Sequence, residues 1–220
     1  MLPRPSAILL DLDNTVYAYA PCHEAGLVSA FQASGFDHEI TFRADYALAR
    51  NQAKKPIPET GAAHCRLLYF KTLLERNTGR TQITETLALH AAYWDGYHVA
   101  MRLDPGVREL LTAWKAAQIP TAWVSDFTTE RQFLKLQTLG LEDLVTYLVS
   151  AEEVGAVKPD PSGVDVALAK LGQAPGPHIW LIGDDTKRDL GVAATRGLTG
   201  ILRDRADANF WLRLRHEFNW

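Results

Sequence analysis

The second half of the chain alternates short apolar runs with segments of helical periodicity. In "HIWLIGDD" the apolar residues do not alternate with polar ones, which is typical of a parallel strand covered on both faces. Alternating strands and helices predict a parallel sheet with helices on both sides. Together with "AILL" at residues 7–10, the predicted strands are "IPTAWVSD", "VTYLVS", "HIWLIGDD" and "LTGILR".

Helix signals separate these runs. Asp104 and Pro105 suit the start of a helix, and apolar residues follow at helical spacing up to Trp114. Thr128 is an expected N-cap, and Gly140 is an expected stop after "TTERQFLKLQT". We expect a further helix after "DP" at 160–161, closing at Gly172, and another from about Lys187 to Thr195.

Residues 17–102 contain no convincing strand. Three helical stretches stand out there, around "LVSAF", "LLYFKTLL" and "LALHAAYW", with a loop at "KKPIPETG". We therefore predict an α/β, Rossmann-like core of residues 1–16 and 103–220 with an all-helical cap, 17–102, inserted after the first strand. Such an insert would lie above the carboxyl edge of the sheet, where ligands bind. The aromatic C-terminal segment "NFWLRLRHEFNW" is expected to pack on the core, with a dimer contact as the alternative.

Composition narrows the class of protein. The chain has 220 residues, is 47% hydrophobic and 22% charged, and carries a net charge of −3, with no basic block to attract nucleic acid. The first apolar run is too short for a signal peptide or a membrane span. Cys22 and Cys65 are not spaced as metal ligands, and we expect reduced thiols. A cytoplasmic location is therefore expected.

Two aspartates follow the first strand one residue apart. Because side chains alternate along a strand, Asp11 and Asp13 point to the same face. Two adjacent carboxylates raise each other's pKa unless a cation, a donor or a shared proton offsets their repulsion. The pair therefore indicates a metal site, a proton-transfer site, or both.

Three further segments carry polar residues to the same edge of the predicted sheet. Each has a structural interpretation as a cap, turn or loop residue, but four such segments in this order favour one functional crevice. The residues are Ser125 and Asp126 after the second strand, Lys158 in "GAVKPDP", and Asp184, Asp185 and Asp189 in "GDDTKRD".

The segments "DLDNT", "WVSD", the lysine of "GAVKPDP" and "GDDTKRD" resemble the four motifs of the haloacid dehalogenase (HAD) superfamily. The resemblance covers residues 1–16 and about 103–205. The helical insert is similar to the cap of the group that includes β-phosphoglucomutase, phosphoglycolate phosphatase and N-acylneuraminate 9-phosphatase. His23, in "PCH", is placed where that group often carries a cap-hinge histidine.

The resemblance implies a mechanism with an aspartyl-phosphate intermediate. Asp11 is then the nucleophile, and Asp13 is the general acid and base, for which we expect a raised pKa. Ser125 and Lys158 would hold the transferring phosphoryl oxygens, and the amide of Asp126 is a further expected phosphate donor.

The resemblance also implies Mg²⁺, a hard ion that prefers oxygen ligands. By analogy its protein ligands would be the Asp11 carboxylate, the Asp13 backbone carbonyl and the Asp184 carboxylate. Asp189 is expected to orient Lys158 behind these ligands. Asp185 is also expected behind the metal ligands, next to Asp189, but the resemblance gives it no defined role.

We therefore expect a Mg²⁺-dependent phosphatase that acts on a small phosphorylated metabolite, either a sugar phosphate or a nucleotide monophosphate. A phosphomutase shares every core residue and stays open as an alternative. A 2-haloacid dehalogenase is disfavoured because the resemblance implies that such enzymes lack an aspartate at position 13. A catalytically inactive binding module and a signalling receiver domain fit the motifs less well.

The cap would supply substrate contacts, and for each of its polar residues a structural or solvated role competes with that function. The expected partner is a small metabolite rather than a nucleic acid polymer or a membrane, in a monomer or homodimer. The cap candidates are His23, His64, Arg66 and Lys71.

Overall fold

The computed structural model describes residues 4–217 and divides into two compact units. One unit holds the chain up to Ala18 and from Arg102 onward, and the other is Tyr19–Met101. Residues 1–3 and 218–220, which the predicted domain ranges and the aromatic C-terminal segment include, lie outside the described residues.

The unit Tyr19–Met101 is helical. Helix α1 packs against α4, and α2 packs against α3. Gly96 permits the close approach of α1 and α4, because a Cβ atom there would lie 2.6 Å from the carbonyl oxygen of Ala25. The helices are α1 (Tyr19–Gln32), α2 (Glu39–Lys54), α3 (Arg66–Thr78) and α4 (Ile83–Ala100), with a 3-10 turn at Gly61–His64.

Three of these helices cover the stretches that the sequence indicates, and the fourth, α2, does not correspond to any of them. Helix α2 precedes the loop "KKPIPETG" and buries Phe42, Tyr46 and Ala49. Both cysteines belong to the helical unit and are not joined in a disulfide, and Cys22 is buried.

The other unit is built on a parallel sheet. The described strands form one five-stranded sheet in the order β3-β2-β1-β4-β5. Strand β1 lies at its centre, with Leu10 in register with Trp123 on one side and Ile182 on the other. The predicted α/β fold is confirmed. The strands are β1 (Ala7–Leu10), β2 (Thr121–Ser125), β3 (Tyr147–Ser150), β4 (Ile179–Gly183) and β5 (Thr199–Leu202).

The three central strands are buried along their whole length, which explains their apolar runs. The crossover helices begin and end close to the predicted positions. Helix α9 begins two residues later than the predicted Lys187, because the Asp185 carboxylate accepts the backbone N–H groups of Lys187 and Arg188 and holds them in a turn. The helices of this unit are α5 (Val107–Ala116), α6 (Thr129–Thr138), α7 (Ala151–Val154), α8 (Ser162–Leu171), α9 (Asp189–Thr195) and α10 (Phe210–Glu217).

Across residues 4–217, the helices all fall short of the combination of length and apolar character that a bilayer crossing requires.

Candidate active site

Asp11 lies directly after β1, at the carboxyl edge of the sheet. Its backbone N–H donates to the carbonyl of Ile182 at 2.9 Å, so the strand pairing continues up to this residue. One carboxylate oxygen accepts from Lys158 Nζ at 2.6 Å, and the other accepts from Thr15 Oγ1 at 2.7 Å. The sheet and these two donors therefore fix the orientation of a carboxylate that is only 7% exposed.

Lys158 links two carboxylates inside this unit. Its ammonium donates to Asp11 at 2.6 Å, to Asp189 at 2.7 Å and to the carbonyl oxygen of Val124 at 3.1 Å. Gly183 makes room for Asp189, since a Cβ atom at that glycine would lie 2.6 Å from the Asp189 Cβ. The predicted orienting contact between Asp189 and Lys158 is present in the structure.

Two buried carboxylates share one ammonium in this cluster. Burial raises the pKa of Asp11 well above its usual range; Lys158 opposes this effect, and the nearby Asp189 carboxylate adds to it. Burial alone would lower the pKa of Lys158, but Asp11 and Asp189 outweigh it and raise that pKa well above its usual value. The cluster therefore has an excess of negative charge that a cation would offset.

Asp184 follows β4 and completes a group of oxygen donors. Among the described residues, Asp11, Asp184 and Asp189 each offer one carboxylate oxygen, and these oxygens lie within 4.8 Å of one another. Asn14 donates to Asp184 at 2.6 Å from a backbone with φ of 62°, a conformation that asparagine tolerates well. Burial raises the pKa of Asp184. An all-oxygen donor set with excess negative charge fits a hard divalent cation such as Mg²⁺.

Ser125 and Asp126 follow β2 at the same edge. The Ser125 hydroxyl is buried and accepts a hydrogen bond from the side-chain amide of Gln132. The Asp126 carboxylate accepts from the backbone N–H of Lys158 at 2.8 Å and from Arg188 at 3.1 Å. Asp126 thus fastens the loop that carries Lys158, a contact that its predicted role as an amide donor did not include.

Asp13 is held by three donors. The Tyr17 hydroxyl and Lys135 Nζ donate to one carboxylate oxygen, the lysine at 2.5 Å, and Gln132 Nε2 donates to the other at 2.6 Å. Burial would raise the pKa of Asp13, but Lys135 outweighs it, and with Tyr17 and Gln132 lowers the pKa to about 2. The prediction of a raised pKa for Asp13 is therefore wrong, because an ammonium rather than the Asp11 carboxylate is the dominant neighbour.

Asp185 has a local structural contact. Besides accepting from the N–H groups of Lys187 and Arg188, its own backbone N–H donates to the Asp189 carboxylate at 3.0 Å. Asp185 therefore shapes the turn between β4 and α9 and helps to fix Asp189. These contacts are consistent with its predicted place behind the metal ligands.

Sequence reasoning missed several side chains that contact the predicted site residues of the sheet unit, and Arg188, which donates to Asp126, is one of them. Asn14 and Thr15 lie inside the quoted "DLDNT" motif, so their position was a usable signal. Tyr17, Gln132 and Lys135 carried no such signal, because the helix that holds the last two is polar along most of its length.

The cap candidates lie in the helical unit with contacts of their own. His23 hydrogen-bonds to the Tyr93 hydroxyl at 2.7 Å, and burial, helped by Arg66, lowers the pKa of His23 to about 4. Arg66 is 5% exposed and donates to the His64 carbonyl and the Tyr19 hydroxyl, both at 2.7 Å. Lys71 pairs with Glu75 at 2.7 Å on the surface of α3. Substrate contact by His23, His64, Arg66 and Lys71 stays a prediction.

Comparison with known proteins agrees with this geometry. The family model for haloacid dehalogenase-like hydrolases matches residues 5–195. A ribulose-1,5-bisphosphate 5-phosphatase of Halopiger xanaduensis is 36% identical over 207 residues, which cover 92% of this chain and 86% of that protein. A glyceraldehyde 3-phosphate phosphatase of Methanopyrus kandleri is 24% identical over 89% of this chain and 82% of that protein.

Among solved structures, YfnB of Bacillus subtilis, a protein described as a HAD hydrolase and crystallised with bound magnesium, shares the fold. It superposes with a TM-score of 0.73 at 18% identity, covering 99% of this chain and 100% of that one. The predicted resemblance to the haloacid dehalogenase superfamily is confirmed, because the fold, the order of the motifs and the family match agree. The chain belongs to the haloacid dehalogenase-like hydrolases.

Proposed function

We propose that this protein is a Mg²⁺-dependent phosphatase that hydrolyses a small phosphorylated sugar through an aspartyl-phosphate on Asp11. The observation that carries the proposal is the buried cluster in which Lys158 bridges Asp11 and Asp189 beside Asp184. The cluster supports the proposal because it brings a carboxylate, an ammonium and a set of oxygen donors together at one sheet edge, and these are the groups that covalent attack on phosphorus requires.

The enzyme class follows from the family and its relatives. The curated relatives reported above are both phosphatases, one at 36% identity, so the chain is a phosphoric monoester hydrolase. Both act on phosphorylated sugars of three to five carbons, as their names state. We favour sugar phosphates over nucleotide monophosphates as the substrate class of this chain because the relative at 36% identity acts on a sugar bisphosphate.

In the first half-reaction an Asp11 oxygen attacks phosphorus, and the bond between phosphorus and the ester oxygen breaks. Asp13 gives the departing oxygen a proton, while Lys158 and Ser125 hold the phosphoryl oxygens. Asp13 has to carry this proton when the ester bond breaks, although its contacts with Lys135, Tyr17 and Gln132 lower its pKa in the free protein.

In the second half-reaction water attacks phosphorus, and the bond between phosphorus and Asp11 breaks. Asp13 removes a proton from this water, a step for which its ionised state is suited. The products are inorganic phosphate and the free Asp11 carboxylate. Lys158 neutralises negative charge on Asp11 in both half-reactions.

Asp11 and Asp184, with the backbone carbonyl of Asp13, are the proposed protein ligands of Mg²⁺. The bound ion would supply positive charge between the anionic nucleophile and the anionic phosphate. Asp189 contributes an oxygen to the same cluster but is already engaged by Lys158 and by the N–H of Asp185, so we assign it to positioning Lys158.

The helical unit Tyr19–Met101 is the proposed cap, and its polar residues are the proposed substrate contacts. A phosphomutase differs from a phosphatase in how it keeps water out of the site. The hydrolase is favoured because the reported curated relatives are phosphatases. A dehalogenase is disfavoured by the presence of Asp13.

The test is phosphate release from a panel of phosphorylated sugars, nucleotides and small acids, with ribulose 1,5-bisphosphate and glyceraldehyde 3-phosphate included. We expect turnover of a few related sugar phosphates that requires Mg²⁺ and falls by at least about 10³-fold in Asp11→Asn, since the covalent route is lost. Asp165→Asn, an exposed aspartate on α8, is the matched control and should retain wild-type activity.

Each outcome of this test is informative. Phosphate release by Asp11→Asn at the wild-type rate would exclude the aspartyl-phosphate, and metal-independent release would exclude the Mg²⁺ site. Rearrangement of a sugar phosphate without release of phosphate would identify the mutase instead.

A further inference from the structure

Helix α6 turns two polar side chains into the interior next to Asp13. Gln132 and Lys135 are three residues apart, on one face of the helix, and both have 0% exposure. Long polar side chains are almost never buried unless they have partners. The partners here are Asp13 and Ser125, which the proposed function places in the reaction.

We propose that Gln132 and Lys135 are positioning residues that together hold the Asp13 carboxylate and the Ser125 hydroxyl in their reactive orientations. The inference rests on the proposed function, in which Asp13 moves the proton and Ser125 holds a phosphoryl oxygen. It adds two residues of α6 that lie outside the four motifs.

Gln132 connects the two groups through a single nitrogen atom. An amide nitrogen has two hydrogens, and Gln132 Nε2 donates to Asp13 Oδ2 at 2.6 Å and to Ser125 Oγ. Because Ser125 accepts in this contact, its own hydroxyl hydrogen is directed elsewhere and can serve a phosphoryl oxygen. Gln132 therefore sets the donor direction of Ser125 as well as one oxygen of Asp13.

Lys135 fixes the other oxygen of Asp13. Its ammonium lies 2.5 Å from Asp13 Oδ1 and 4.0 Å from the centre of the Phe127 ring. The Tyr17 hydroxyl donates to the same oxygen. With donors on both oxygens, the Asp13 carboxylate cannot rotate about its Cβ–Cγ bond without breaking a hydrogen bond.

The competing explanation is that Lys135 and Asp13 form a purely structural ion pair. Substrates with different leaving groups distinguish this explanation from a positioning role. An alkyl phosphate needs a proton on its departing oxygen, whereas p-nitrophenyl phosphate releases a stable phenolate without one. Misplacing Asp13 should therefore slow alkyl esters much more than the aryl ester. A loss of stability alone would slow both equally.

The experiment measures kcat and KM for the best sugar phosphate of the panel and for p-nitrophenyl phosphate, at saturating Mg²⁺. We expect Lys135→Met to lower kcat/KM for the sugar phosphate by about 10²-fold, within the range of general acid–base catalysis, and to leave the aryl ester within a few fold. The quantity compared between variants is the ratio of kcat/KM for the sugar phosphate to kcat/KM for p-nitrophenyl phosphate. Gln132→Met should lower this ratio and also raise KM for both esters, because Ser125 loses its hydrogen-bond donor. Lys135→Arg should restore part of the loss.

The controls separate this inference from the proposed function. Lys170→Met, the same change at an exposed lysine of α8, should leave both esters unaffected. Asp13→Ala supplies the reference ratio, and adding Lys135→Met to it should change the ratio no further. If wild type hydrolyses neither ester, or if Asp13→Ala leaves the ratio unchanged, the proposed function fails.

If Asp13→Ala lowers the ratio but Lys135→Met and Gln132→Met leave it at the wild-type value, the positioning roles are overturned. Circular dichroism and thermal melts identify any variant that does not fold. The ratio measured on Gln132→Met or on Lys135→Arg then decides the question without Lys135→Met.

Discussion

Helices α5 and α6 are both ten residues long and belong to the same unit, yet their buried faces are built from opposite kinds of residue. Helix α5 buries Val107, Leu110, Leu111 and Trp114, as the spacing of its apolar residues predicts. Helix α6 buries Gln132 and Lys135 beside Leu136 and leaves Phe133 57% exposed.

The difference lies in what each helix packs against. Helix α5 packs against α10, whose Trp211 and Leu214 are themselves buried and apolar. The buried face of α6 meets Asp13 and Ser125 at the carboxyl edge of the sheet, where polar groups need partners. Hydrophobic periodicity identifies the inner face of a helix only where its neighbours are apolar. Next to a site, the inner face can be the polar one.

The largest effect should come from the apolar face of α5. Trp114→Ala removes a side chain with 0% exposure, and we expect a loss of about 3–5 kcal/mol in the free energy of unfolding because the cavity cannot collapse fully. Urea denaturation measures this loss. Thr112→Ala, an exposed position on the same helix, should cost less than about 0.5 kcal/mol.

At a temperature where Trp114→Ala is still folded, its kcat should stay near the wild-type value, since α5 carries none of the proposed site residues. A large fall in kcat with little loss of stability would remove the contrast between the two helices.

A smaller effect is expected from the polar face of α6. Lys135→Met leaves Asp13 without its ammonium partner, and breaking a fully buried pair costs about 3–5 kcal/mol. Because the Asp13 side chain is 25% exposed, water can replace part of the lost contact, and we expect a loss of about 1–3 kcal/mol.

A double-mutant cycle sharpens this prediction. Asp13→Asn removes the uncompensated charge, so Lys135→Met should cost clearly less in that background than in wild type. Urea denaturation of the four proteins gives the coupling free energy. An equal cost in both backgrounds would mean that Lys135 contributes through its packing on Phe127 and not through Asp13.

Much of the fold could be predicted from the sequence because its signals are local. Each central strand is a continuous apolar run, and several helices are bounded by the residues that stop or start them, such as Gly172 after α8. Helix α2 was missed for a local reason as well. Its exposed positions include Ile40 and Leu48, at 84% and 52% exposure. Apolar residues therefore fall on both faces of the helix, and the sequence shows no clear helical periodicity of apolar positions.

The candidate site was predictable where function and strand ends coincide. Asp11, Ser125 and Asp184 lie at or directly after the ends of strands, and Lys158 reaches them from a loop at the same edge. Gln132 and Lys135 lie on a helix more than a hundred residues after Asp13 in the chain. Their contact with Asp13 depends on tertiary packing, and neither the residue types nor their spacing in the sequence predicts this contact. The wrong sign predicted for the pKa shift of Asp13 has the same origin.

The smallest effect is expected at Phe133, and it tests directly which face of α6 is buried. Phe133→Gln removes a large apolar side chain that is 57% exposed, so the free energy of unfolding should change by no more than about 0.5 kcal/mol. Leu136→Gln, on the same helix but 3% exposed, should lower the free energy of unfolding several-fold more, since it buries an amide in place of an apolar side chain. Urea denaturation of the two variants side by side gives the comparison. If Phe133→Gln proves as costly as Leu136→Gln, Phe133 is the inward residue. The face of α6 that carries Gln132 and Lys135 would then lie away from Asp13, which would remove the basis for their positioning roles.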